Sequence, residues 1–224
     1  IIYPIVMGWQ WGGGWLASIG FSDFAGSTLV HSTGGAAALA GAIIIGPRLG
    51  RFTKSGAPAP LKPFAASSIP LVTLGVFVLW LGWFGFNGGS QLAMGTADDA
   101  IAVSTIFMNT FLAGAGGVIG AAIITRLHFG KTDVVQMLNG CIGGLVAVTA
   151  EPLAPSPLAA ILIGAVGGFI VVYGTKLLFS LKIDDVVGAV PAHLFAGIWG
   201  TLIVPATNSD AVFSTQLIGV LSVN

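Results

Sequence analysis

Long apolar blocks separated by short polar connections run the length of this chain. A helix that crosses a bilayer needs about 20 mostly apolar residues. That ruler divides the sequence into eight stretches: 1–19, 24–46, 68–90, 100–125, 134–150, 156–180, 186–205 and 212–224. The first is incomplete at its start and the last is cut short, and there is neither an initiator Met nor a signal-peptide pattern. The pattern therefore predicts an all-α, polytopic membrane helical bundle, a single membrane domain over 1–224 that is truncated at both ends.

The connections carry the charge, and they alternate. Arg48, Arg51, Lys54 and Lys62 follow the second stretch, Arg126 and Lys131 the fourth, and Lys176 and Lys182 flank the end of the sixth. The intervening connections hold Asp23, Asp98, Asp99, Glu151 and Asp210 and no base. By the positive-inside rule the basic set is cytoplasmic, which predicts a multi-pass protein of the cell (inner) membrane.

Composition agrees with a lipid-embedded chain. Only 7% of residues are charged and 55% are hydrophobic, with mean hydropathy +0.96, whereas soluble domains carry roughly 25% charged residues. The 34 glycines predict closely packed helices, because lipid gives apolar helices no hydrophobic reason to associate and small residues let backbones approach. A net charge of zero argues against nucleic acid as partner. Cys141 is the single cysteine, so an intrachain disulfide is impossible. No metal or cofactor site is expected, and an enzyme is disfavoured, since the histidines and one thiol supply neither a nucleophile with its base nor a ligand cluster.

One pattern occurs twice. Asp23, Gly26 and His31 open the second stretch; Asp185, Gly188 and His193 open the seventh with the same spacing. An odd number of crossings separates them, so the two segments run antiparallel. Eight residues at 1.5 Å each place each histidine about 12 Å into a core roughly 30 Å thick, from opposite faces. Both arrive near the midplane, as an inverted-topology repeat requires, and such folds put their site between the repeats. The faces shared with the histidines are mostly small: Ser27, Thr28, Gly34, Gly35 and Ala38 beside His31; Ala189, Val190, Ala196, Gly197 and Gly200 beside His193. That spacing leaves room for a neighbouring helix or for a narrow passage. Asp23 and Asp185 sit where helix N-terminal caps belong. His128 reads as a solvated loop residue, and Trp83, Phe84 and Phe86 as packing.

Asp23 to Arg48 resembles the signature segment of the ammonium transporter family (Amt, with the yeast methylammonium permeases and Rhesus proteins as relatives). The resemblance extends through Trp11-Gly12-Gly13-Gly14, Gly82-Trp83-Phe84-Gly85-Phe86-Asn87-Gly88-Gly89-Ser90, Asn109-Thr110 and Asp184-Asp185. It implies the ammonium transporter fold, with about eight of eleven spans present. On this resemblance His31 and His193 are twin pore histidines, bonded to each other in an apolar channel for ammonium or ammonia. Trp11 and Ser90 belong to an outer ammonium recruitment site, Phe86 to a gate beneath it, and Asp23 supports that region from behind. Gly188 stands where many relatives have a third acid, so any role of that acid falls to Asp184 or Asp185. A homotrimer and a PII-type regulatory protein on the cytoplasmic face are also implied. The competing readings are an ammonium sensor coupled to a signalling domain and a Rhesus-type neutral gas channel.

Overall fold

The computed structural model describes residues 1–52 and 64–224; Lys54 and Lys62 of the basic set lie outside the described residues. Among the described residues nine helical segments follow one another: α1 (Ile2–Gln10), α2 (Trp15–Ser18), α3 (Ser27–Ile45), α4 (Ile69–Gly89), α5 (Ala97–Phe129), α6 (Val134–Val148), α7 (Pro157–Ser180), α8 (Val190–Ala206) and α9 (Phe213–Val223). The described residues thus fold as an all-helical bundle of a multi-pass membrane protein.

The starts of the central helices are written in the sequence. Ser68 accepts from Leu71 N–H ahead of Pro70, Ser156 accepts from Ala159 N–H ahead of Pro157, and Asp133 accepts from Gln136 N–H. Thr96 and Asp99 close a reciprocal capping box on α5. Each arrangement satisfies backbone donors that a helix N-terminus leaves free. At the far end of α5, Gly130 takes φ +72° and stops the helix.

Helix lengths depart from the even ruler. Four helices, α3, α4, α5 and α7, are long and apolar enough to cross a bilayer, whereas α6, α8 and α9 are shorter. The 33 residues of α5 span about 50 Å, well beyond the hydrocarbon core. His128 therefore lies in the last turn of this helix, not in a loop. The stretch 1–19 is not one helix either. Gly12-Gly13-Gly14 breaks it, with Gly13 at φ +74°, and α2 sets off separately.

The core is built from α5, α6 and α7, whose facing glycines bring backbones into contact. Against it pack α4, through Trp83 and Val76, and α8, through Ala192 and Ala196. α3 is held at the same level by Ser27 Oγ, which donates to Val146 O of α6. The basic connections meet at one end. There Arg48 Nε and Nη2 reach the Asp184 carboxylate at 2.7 and 2.8 Å, and Arg51 Nε lies 3.2 Å from it. The Arg51 guanidinium also sits 4.8 Å over the Phe179 ring. His128 and Lys176 approach to 3.1 Å, bringing the ends of α5 and α7 together. Hydrogen bonding from Arg48 holds the Asp184 carboxyl down at about 2, so this latch stays charged throughout the neutral range.

Candidate functional site

The two Asp-Gly-His segments fold to one local design. At the head of α3, Asp23 accepts from four backbone N–H groups: Gly26 and Ser27 on Oδ1, Thr28 and Leu29 on Oδ2, at 2.8–3.0 Å. At the head of α8, Asp185 accepts from Gly188, Ala189 and Val190 at 2.8–3.1 Å. The glycine three places on takes positive φ in both, +112° at Gly26 and +79° at Gly188. That turn swings the following amides onto the carboxylate, and only glycine adopts it without strain. Asp184 is bound to Arg48 and Arg51, and Asp185 to this cap.

Each histidine then rides on a π-turn. Ser27–Ser32 and Val190–Phe195 are π-helical. The His31 N–H bonds Gly26 O, five residues back, at 3.0 Å, and the Ala196 N–H bonds Pro191 O. Such single turns carry one residue more than an α-turn and gather at functional sites. Nothing in the residue types announced them. Here they aim both rings into the space between α3 and α8.

The rings meet there, with His31 Nδ1 and His193 Nδ1 3.2 Å apart and ring centroids at 5.3 Å. One nitrogen of that contact carries the proton and the other receives it, since two donors or two acceptors cannot bond. His31 Nε2 is buried without a partner. An orphaned buried nitrogen costs about 1–3 kcal/mol unless something bonds it. Asp23 is buried and His193 partly so.

Aromatic rings cover His31. Trp83 stacks on it at 4.9 Å and 18°, and Phe86, one helical turn further along α4, lies 5.4 Å away at 42°. Trp83 is thus more than packing. Its Nε1–H donates to Thr149 Oγ1 at 2.9 Å, which fixes the plane of the indole. The three-residue spacing from Phe86 was the available signal, because it puts both rings on one face of α4. Thr149 itself is completely buried, and its carbonyl accepts from Ala25 N–H.

The remaining predicted residues lie toward the acidic end. Trp11 Nε1 donates to Asp23 O at 2.9 Å, with the ring 41% exposed. Ser90 Oγ donates to Phe86 O at 2.8 Å and keeps its lone pairs free for another donor. Asp23 thus lies behind Trp11, its backbone oxygen holding the indole while its carboxylate holds the α3 turn. Among the described residues no three His, Cys, Asp or Glu side chains gather as a metal cluster.

Comparison with known proteins agrees with this architecture. The chain is 41% identical over 228 residues to the ammonium transporter Amt2 of Archaeoglobus fulgidus, covering 96% of this chain and 47% of that protein. Among solved structures it is similar to a sensor Amt protein, at TM-score 0.91 and 34% identity, covering all of this chain and 58% of that one. Candida albicans Mep2 superposes at TM-score 0.86 and 27% identity, over all of this chain and 52% of the other. The chain spans about half the length of the curated relatives it matches. The sequence profile described as the Ammonium Transporter Family matches residues 1–222, and the chain belongs to that family.

Proposed function

We propose that the protein moves ammonium across the cell (inner) membrane through the space between α3 and α8, with His31 and His193 as its transfer site. The observation that carries this reading is the Nδ1–Nδ1 contact at 3.2 Å between rings from opposed helices, beside an unpartnered His31 Nε2. Ammonia has three N–H donors and one lone pair, so it satisfies that nitrogen in either tautomer.

Each other element has a physical task. Moving an ion out of water into a low-dielectric interior costs several kcal/mol even after relaxation. The Trp11 ring face offsets part of that for a desolvated cation, by about 2 kcal/mol, and Ser90 Oγ accepts one of its hydrogens. Potassium carries the same charge and has no hydrogen to give, so discrimination starts here. Phe86 separates this outer site from the histidines. Below it, the stacked rings of Trp83 and His31 favour neutral ammonia over the ion, because burial penalises unpaired charge. Ammonia and a proton then cross the histidine pair separately and recombine at the basic, cytoplasmic end, giving net ammonium uptake. The acting unit is a homotrimer, and the basic end receives a PII-type regulator.

Currents in liposomes test the reading. His31→Ala and His193→Ala should each abolish the ammonium-induced current of the intact protein; unchanged currents in either would reject the role of the pair. A sensing role is the second reading, favoured by the similarity to the sensor Amt protein. It predicts ammonium binding with no flux, and a Rhesus-type gas channel predicts flux with no current.

A further inference from the structure

The histidine contact needs α3 and α8 to cross much closer than side chains normally allow. The crossing is made by two glycines, Gly35 and Gly197, each four residues after the histidine of its own helix. A Cβ on Gly35 would stand 2.8 Å from Leu194 Cα and 2.7 Å from Leu194 Cβ, and closer still to Leu194 N. A Cβ on Gly197 would stand 3.2 Å from Ser32 N and 3.1 Å from Ser32 Cβ, and closer still to Ser27 O.

The two contacts are related by the repeat. Leu194 directly follows His193, and Ser32 directly follows His31. The glycine of each helix therefore presses on the residue after the other helix's histidine, inside the other helix's π-turn. Most of the atoms in the way are backbone, so they cannot rotate aside. An added methyl must push the helices apart or force a π-turn to relax. Either change moves a ring, because a π-turn relaxing to an α-turn shifts the register of every side chain on it.

We propose that Gly35 and Gly197 are matched positioning residues whose missing side chains set the separation and aim of His31 and His193. The nearest comparison residue is Gly34. It lies on the same turn of α3 and a Cβ there meets nothing within 4 Å. Gly34→Ala therefore controls for helix propensity and composition without touching the crossing.

The inference rests on the transport reading only for its effect on flux, so its test has a readout that does not depend on transport. The intact protein, with 15N-labelled histidine, is observed by NMR for scalar coupling through the Nδ1–H···Nδ1 bond. Gly35→Ala and Gly197→Ala should each lose the coupling while Gly34→Ala keeps it. Ammonium current should fall by about tenfold or more in the first two, the scale on which misplacement near a reacting centre acts. Coupling retained in folded Gly35→Ala and Gly197→Ala protein would overturn the proposal, whatever the currents do. Failure of both variants to fold, with Gly34→Ala folded, would overturn it too, since the glycines would then determine the fold and not the ring separation. Coupling lost in both while His31→Ala leaves the current intact would uphold the positioning role and sink the transport reading alone.

Discussion

The helices carrying His31 and His193 share their heads and differ in their surroundings. Asp23 is buried and collects four amides; Asp185 is partly exposed and collects three. After its π-turn α3 continues as 13 residues of regular helix, whereas α8 continues for seven before passing into a tighter turn at Val204–Ala206. His31 lies under Trp83 and Phe86, while among the described residues His193 stacks on His31 alone. The repeat thus supplies the frame, and the flanking helices make its two halves unlike. A site with aromatic rings over one histidine has a defined direction, which a strictly symmetric pair would lack.

Substitution separates frame from surroundings. The largest effect is expected from Asp23→Ala, which strands four buried donors: about 4 kcal/mol of stability by thermal unfolding in detergent. Next comes Asp184→Ala, which leaves Arg48 and Arg51 facing each other without their acid. Arg48 is 38% exposed, so water softens the loss to about 2 kcal/mol. The same latch predicts a pH dependence. The folded carboxyl titrates at about 2, below its ordinary value near 4. Its stabilisation is complete above pH 4 and fades as pH falls toward 2. The unfolding temperature of the parent should therefore drop across that window by more than that of Asp184→Asn. Thr149→Val removes the acceptor of the Trp83 indole and should cost about 1.5 kcal/mol, with the stacking on His31 disturbed in a high-resolution structure of the variant. Asp185→Ala should cost only about 1 kcal/mol, since Asp185 is itself partly exposed and caps three amides, not four. Equal losses for Asp23→Ala and Asp185→Ala would erase the contrast between the halves.

What could be read from residues alone follows the same division. Local signals were legible: the Asp-x-x-Gly spacing that makes the caps, and the alternation that gathers Arg48, Arg51 and Lys176 at one end. The choice between a neighbouring helix and a passage beside each histidine was not legible. In the fold Gly35 and Gly197 serve the neighbour and receive the opposing backbone, whereas a Cβ on Gly34 meets nothing within 4 Å. The break at Gly12-Gly13-Gly14 was hidden because Trp11, Trp15 and Leu16 keep the stretch apolar across it. Both π-turns escaped because a π-turn has no residue signature, only a crowded neighbour. The pairing of Trp83 with Thr149 joins residues 66 positions apart, and no local pattern records it.

The fastening of α3 has a mechanical consequence. At the basic end Arg48 is tied to Asp184, just ahead of α8; at the acidic end Phe24 and Ala25 are tied to Ala150 and Thr149, just after α6. Also at the acidic end, in the first turn of α3, the Thr28 and Thr201 hydroxyls lie 2.6 Å apart. A helix tied at both ends has no loose end on which to swing. On the transport reading proposed above, passage of the two imidazoles is admitted by rotating side chains, at the pace of a door latch and not of a drawbridge.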